Sequence, residues 1–142
     1  MHRELVNRIT RAALAKLSLL KTDSMNYYIS SMLAGVYVGF GMILIITVGT
    51  QFAGIHTQKL IMGLIFGVSL SLVVMAGSEL FTGNNMVMIV ALAEQKVDLQ
   101  GCAKVWIASY IGNLIGSILI GVCYNLTGLL NSEIAVFVYK TC

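Results

Sequence analysis

Residues 76–86 read AGSELFTGNNM and lie inside an otherwise apolar stretch. They contain the carboxylate of Glu79, one threonine, two asparagines and two glycines, and leucine, valine and methionine flank them on both sides. Polar groups inside a hydrocarbon layer are costly unless the backbone there is buried in protein or borders water. The stretch therefore predicts a break in a membrane-spanning helix.

The composition indicates a polytopic membrane protein of the all-α class. The chain has 142 residues, of which 58% are hydrophobic and 11% are charged, whereas a soluble domain carries about a quarter charged residues. Proline is absent from the sequence and glycine occurs 14 times. An interruption of a helix must therefore come from glycine and polar residues rather than from a proline kink.

The apolar segments divide a single membrane domain, residues 1–142, into five parts. We expect an amphipathic helix followed by three membrane spans, of which the second is broken, and a tail that is too short to cross. These parts are the helix at 1–22, the spans at 26–50, 60–93 and 104–127, and the tail at 131–142.

The second span is longer than a bilayer requires. As one straight helix, residues 60–93 would extend roughly 50 Å, against a hydrocarbon core of about 30 Å. The glycines and polar residues place the break near residues 77–85. Thr82, Asn84 and Asn85 are able to cap freed backbone groups or to face water. Glu79 either accepts hydrogen bonds from N–H groups of the break or is a buried acid with a partner remote from any substrate.

The first 22 residues alternate apolar and charged side chains at helical spacing. Such a helix either lies at the membrane interface with its basic residues toward lipid headgroups or packs on its own protein. Lys16 falls out of place in this pattern because it does not lie with the other charged residues.

Lysine and arginine predict the orientation in the membrane. Two basic residues, Lys59 and Lys140, lie on one side of the predicted spans. Because cytoplasmic loops carry the excess of basic residues, we expect a plasma-membrane protein with a cytoplasmic N-terminus. The basic residues on the other, predicted cytoplasmic, side are Arg3, Arg8, Arg11, Lys16, Lys21, Lys96 and Lys104.

Each predicted span also contains two glycines four residues apart. Small residues at this spacing let helix backbones approach closely in lipid. The pattern predicts tight helix packing, within one subunit or between subunits. The pairs are Gly35 with Gly39, Gly63 with Gly67, and Gly112 with Gly116.

Two motifs resemble the formate/nitrite transporter family. They are LIMGLIFGVSLSLVVMAGSELFTGNNMVM at residues 60–88 and AKVWIASYIGNLIGSIL at 103–119. The resemblance runs from about residue 20 to the end of the chain. It implies a homopentamer in which each subunit has its own pore and six spans in two inverted halves. The present chain resembles the N-terminal half, with the second span broken by a loop at residues 80–83.

The resemblance also implies roles for particular residues. Phe66 and Leu70 would form one apolar constriction and Phe81 would belong to another, while Glu79 would support the loop. Lys104 would attract anions to the inner mouth, or would serve only as an interfacial anchor. The central loop and substrate path would include Leu80, Thr82, Gly83 and Asn84.

The function implied is a channel or transporter for small monovalent anions of weak acids, such as formate, nitrite or hydrosulfide, either passive or coupled to protons. The alternative is a membrane scaffold or assembly subunit that does not transport. The family's pore histidine belongs to the second half, and neither His2 nor His56 suits that role. We therefore expect that this chain alone does not transport.

Other functional classes find little support in the sequence. We find no nucleophile–base pair, metal cluster or phosphate-binding glycine loop, and the three cysteines are scattered. We therefore expect no enzyme activity, no metal and no cofactor. The net charge of +3 follows from the basic predicted cytoplasmic side and gives no reason to expect nucleic-acid binding.

Overall fold

The computed structural model describes residues 2–130 and 132–141, and side-chain surroundings for 3–130 and 134–139. The described chain is all-helical, as the sequence predicts. Asn131 and Cys142, the ends of the predicted tail, lie outside the described residues. The helices are α1 (His2–Thr22), α2 (Ser24–Gln51), α3 (Gln58–Met75), α4 (Phe81–Ala93), α5 (Leu99–Leu126) and α6 (Ser132–Thr141).

Three of these helices are long and apolar enough to cross a membrane. They are α2 and α5, of 28 residues each, and α3, of 18 residues. The shorter apolar helix α4 has 13 residues and continues the direction of α3 after the break. The fold class, with three spans of which the second is interrupted, is confirmed.

Helices α2 and α5 run parallel and touch through glycine. A Cβ added to Gly112 would lie 2.3 Å from the Cβ of Ser31. A Cβ added to Gly116 would lie 2.0 Å from the carbonyl oxygen of Met32. Only a hydrogen in place of a side chain allows the backbones to approach this closely. The glycine pairs of α2 and α5 therefore pack against each other within one subunit.

The glycine pair on α3 behaves differently. A Cβ added to Gly63 or Gly67 would meet no atom of the described residues within 4 Å. This pair lies on the outer surface of the chain, and much of the apolar face around it is exposed, including Leu64 and Val74.

Helices α3 and α4 cross back antiparallel to α2. The hydroxyl of Ser69 on α3 donates to the carbonyl of Tyr37 at 3.0 Å. The side-chain amide of Asn84 on α4 donates to the phenol of Tyr27 at 3.0 Å. These contacts place α3 beside the later part of α2 and α4 beside its beginning.

Helix α1 packs on its own protein, chiefly against α4 and also against α2 and α5. Ala13 and Leu17 are buried in the same cluster as Met88 of α4. Leu5 and Leu14 stay exposed, so α1 also keeps an apolar surface that lipid headgroups and acyl chains can meet.

Candidate functional site

The second span is interrupted at residues 76–80. Gly77 has a φ of +61°, in the left-handed region that favours glycine. Leu80 is extended and caps α4, which begins at Phe81. The break lies earlier than the predicted loop at 80–83, because the backbone N–H of Asn84 already bonds the carbonyl of Leu80 at 2.9 Å.

Several residues expected in the loop therefore lie on a helix. Thr82, Gly83 and Asn84 occupy the first turn of α4, and of the predicted loop residues only Leu80 belongs to the irregular segment. The break is bordered by the N-terminal end of α4, where freed N–H groups carry partial positive charge.

One side chain of α5 holds the break in place. The side-chain oxygen of Asn113 accepts from the backbone N–H of Phe81 at 2.9 Å. Its amide nitrogen donates to the carbonyls of Glu79 and Ser31, both at 2.9 Å. Asn113 thus connects α5 to both α2 and the break. Asn113 is not among the predicted site residues, although an asparagine between two glycines in an apolar span is a signal.

Glu79 is buried and paired with a residue from α1. Its carboxylate oxygen lies 2.6 Å from the ammonium nitrogen of Lys16, and the side chains are 9% and 21% exposed. The carboxylate is thus paired with the Lys16 ammonium. One expectation had been that it accepts hydrogen bonds from N–H groups of the break. The pair also explains why Lys16 departs from the charge pattern of α1, since it points toward the break.

Asn84 lies inside the protein. It is 1% exposed, and its amide joins α4 to the phenol of Tyr27, which in turn donates to the carbonyl of Val105 at 3.4 Å. This chain of hydrogen bonds links α4, α2 and α5 immediately next to the break.

A groove of about 300 Å³, which we call the break groove, lies beside the interruption. It brings together four of the predicted site residues, Leu70, Leu80, Gly83 and Asn84, with Lys16 of α1. Its other lining residues are mostly valine, glycine and methionine from α3, α4 and the break. The groove is therefore amphipathic, with one cation in an apolar wall.

The remaining constriction residues lie outside this groove. Phe66 lies four residues before Leu70 on the same face of α3, and both side chains are about half exposed. Phe81 packs edge-on against Tyr110 of α5, with ring centroids 5.4 Å apart. Thr82 is exposed on the first turn of α4.

Lys104 lies apart from the break groove. It lines a second groove, between α1, α2 and α5, together with Lys21. No group of three or more His, Cys, Asp or Glu that could hold a metal occurs among the described residues.

The sequence model of one family, the formate/nitrite transporters, matches residues 3–141. The chain belongs to the formate/nitrite transporter family. It is 32% identical over 128 residues to the nitrite transporter NirC of Salmonella typhimurium, covering 90% of this chain and 47% of that protein. It is 38% identical over 108 residues to a probable formate transporter of Methanothermobacter thermautotrophicus, covering 72% and 39%.

The solved structure of an ion channel of the formate/nitrite transporter family has the same fold. It superposes with a TM-score of 0.85 at 31% identity, over 89% of this chain and 51% of that chain. The chain thus spans about half the length of the relatives it matches. Membership in a family of transporters and channels agrees with the expectation that the protein is not an enzyme.

Proposed function

We propose that this chain forms one half of a conduit for small monovalent anions of weak acids, such as formate, nitrite or hydrosulfide. The observation that carries the proposal is the break at residues 76–80, which lies inside a membrane span and borders an open groove. Non-helical backbone survives at membrane depth where it is buried in protein or lines a wet cavity. Broken helices of this kind form small-ion sites in transporters.

The electrostatics of the break suit an anion. The first turn of α4 presents N–H groups whose partial positive charge favours negative ligands. Gly83, in this turn, and Lys16 both line the break groove. Glu79 neutralises part of the charge of Lys16, so the site attracts an anion without binding it too tightly to release.

The apolar residues supply selectivity in this proposal. Phe66 and Leu70 of α3 form one side of a constriction, and Phe81 belongs to a second. Apolar rings hinder a hydrated ion and pass its neutral acid more easily. Proton transfer to the anion at the positive site would therefore lower the barrier, and Thr82 lies beside this path.

The assembly and orientation belong to the same proposal. The resemblance implies a homopentamer of six-span subunits in the plasma membrane, with the N-terminus in the cytoplasm. In that arrangement the exposed apolar face of α3, which includes Leu64 and Val74, would be covered by a second three-span half. This second half would also supply the proton donor.

A chimera tests the proposal. Residues 1–142 are joined to the part of the Salmonella nitrite transporter that follows its matching region, and uptake of formate, nitrite and hydrosulfide into liposomes is measured. Phe81→Ala and Thr82→Val are compared with Phe40→Ala, a matched truncation of an exposed aromatic residue on α2. We expect the first two variants to change the rate or selectivity of flux while assembly stays intact.

The same data separate the conduit from the scaffold. Loss of assembly in Phe81→Ala and Thr82→Val, with no selective effect on flux, would favour a non-transporting scaffold. Equal flux in all three variants and the parent would contradict the proposed path.

A further inference from the structure

A groove of about 360 Å³ lies where α1, α2 and α5 meet, and we call it the basic groove. Its apolar surface includes Leu17 and Leu20 of α1 and Ile107 of α5. Two lysines, Lys21 and Lys104, also line it. This groove shares no lining residue with the break groove.

Among the described side chains, neither Lys21 nor Lys104 makes an ion pair. Among the side chains that the structure describes, the ion pair found joins Lys16 to Glu79. Asp23 and Asp98 are the acidic residues near the starts of α2 and α5, and each serves as a helix cap. Asp23 accepts from the backbone N–H of Asn26, and Asp98 from that of Gly101. The lining of the groove thus contains two lysines and no acidic residue.

The polarity of the groove changes with depth in the membrane. Helices α2 and α5 have 28 residues each, which makes them about 42 Å long. This exceeds a hydrocarbon core of about 30 Å, so their first turns reach the headgroup region. Lys21 precedes α2, Lys104 lies about one and a half turns into α5, and Ile107 lies almost one turn deeper.

We propose that the basic groove binds an anionic phospholipid in the leaflet at the start of α2 and α5. The lipid phosphate lies between the ammonium groups of Lys21 and Lys104, and Tyr28 lies near the glycerol. One acyl chain follows Leu20 and Ile107 into the hydrocarbon. Basic pockets between membrane helices recognise such headgroups.

The apolar depth of the groove is what distinguishes a lipid from a free phosphate ion. A small anion would satisfy the two lysines but would leave the apolar wall of Leu17, Leu20 and Ile107 unoccupied. A lipid fills both parts, and it bridges α1 to α5 because each helix supplies one lysine and part of the apolar wall.

Native mass spectrometry of the purified chain in a neutral detergent tests the proposal. Phosphatidylglycerol is titrated against phosphatidylcholine with the same acyl chains. We expect about tenfold preference for phosphatidylglycerol, since each lysine near a headgroup contributes to its affinity. The double variant Lys21→Gln/Lys104→Gln should lower this preference to less than about twofold.

Two further double variants serve as controls. Lys59→Gln/Lys96→Gln removes the same charge from exposed positions outside the groove and should keep the preference. Lys21→Arg/Lys104→Arg keeps the charge and should also keep it, which shows that substitution of both lysines is compatible with folding. An equal loss in Lys59→Gln/Lys96→Gln, or no preference in the parent, would overturn the proposal.

Competition identifies the source of the phosphate. Inorganic phosphate and deacylated glycerophosphoglycerol are added at the concentration at which phosphatidylglycerol is half-bound. Neither should displace the lipid, because neither fills the apolar wall. Displacement by either compound at this concentration would show that the groove takes a free anion and would overturn the assignment to a lipid.

Discussion

Asn113 acts at the scale of a single residue, yet it connects three parts of the chain. Its side-chain amide uses both donor hydrogens and its oxygen on backbone groups of Ser31, Glu79 and Phe81. The break in the second span leaves the groups of Glu79 and Phe81 without helical partners, whereas Ser31 lies within the continuous helix α2. Where such groups are buried in protein they cannot turn to bulk water, so one asparagine replaces the missing bonds.

The first prediction concerns Asn113→Ala. We expect this change to lower the free energy of unfolding in detergent by about 2–4 kcal/mol, because the groups of Glu79 and Phe81 lose their partner and the carbonyl of Ser31 loses its bond to α5. We also expect faster hydrogen exchange at the amides of residues 77–81. The measurements are denaturant unfolding and hydrogen exchange followed by mass spectrometry.

The control is Asn125→Ala, which removes an exposed amide from the same helix. It should change stability by less than about 0.5 kcal/mol. If Asn113→Ala proved as mild as this control, Asn113 would not be holding the break.

At the scale of whole helices, the contact between α2 and α5 sets the spacing of the bundle. Cβ atoms added to Gly35 and Gly116 would lie 2.1 Å from the carbonyl oxygen of Asn113 and 2.0 Å from that of Met32. These are backbone atoms, which cannot rotate away as a flexible side chain can. The two helices must therefore separate if either glycine gains a side chain.

The second prediction tests this contact with Gly116→Ala and a control on the same helix, Gly121→Ala. The first should lower stability by about 1–3 kcal/mol through overpacking. Gly121 has open space around its added Cβ, so its alanine variant should be neutral or slightly stabilising. Thermal unfolding of both proteins in one detergent gives the comparison, and similar melting of the two would contradict the packing described.

An ion pair joins helix α1 to the break in the second span. The Lys16–Glu79 pair is largely buried, so removing one charge leaves the other without its partner. The loss of one member of such a pair costs more than the pair contributes.

The third prediction is that Lys16→Gln loosens α1. We expect a drop in stability of about 1–3 kcal/mol and faster proteolysis within residues 3–21, whereas Arg11→Gln, at an exposed position, should have little effect. The double variant Lys16→Gln/Glu79→Gln should recover part of the loss, since neither charge is then left alone. Additive losses in the double variant would show that the two groups are not coupled.

At the scale of the whole molecule, the chain presents an incomplete enclosure. The break groove is open, and the face of α3 that contains Phe66 and Leu70 is exposed to whatever surrounds this chain. Relatives that match it are about twice as long. A conduit must enclose the ion on every side with protein or water, because an ion that faces acyl chains is not solvated and has a high free energy.

The fourth prediction follows from this open face. Liposomes containing the purified 142-residue chain should take up formate, nitrite and hydrosulfide no faster than empty liposomes. The chimera with a second half, reconstituted at the same protein-to-lipid ratio, is the positive control. Robust anion uptake by the chain alone would contradict the prediction.

The presence of a break in the second span was predictable, but its bounds were not. Polar residues and glycines near Glu79 mark the region along the sequence. Where α4 resumes depends on Asn113, which lies 32 residues after the N–H group of Phe81 that it caps. The loop at 80–83 that the resemblance implied was therefore too late. The glycines and polar residues placed the break near residues 77–85, and they do not show a cap supplied from another helix.

The roles of Lys16 and of the three glycine pairs show the same difference. The sequence marked Lys16 as out of pattern but did not show that Glu79 is its partner. It also marked three pairs of glycines but did not show that the pairs of α2 and α5 form a close helix contact, whereas the pair of α3 meets no described residue. The roles of Phe66, Phe81 and Thr82 in a conduit stay predictions.

The membrane class, the three spans and the broken second span could all be inferred from the order of residues. These properties depend on how each segment partitions between water and hydrocarbon, and that free energy is a sum over neighbouring residues. Three interactions became evident only from the folded chain. They are the hydrogen bonds of Asn113 to the break and to α2, the Lys16–Glu79 pair, and the contact of α2 with α5. Each is an interaction between groups distant in sequence, which packing brings together and which no local sum contains.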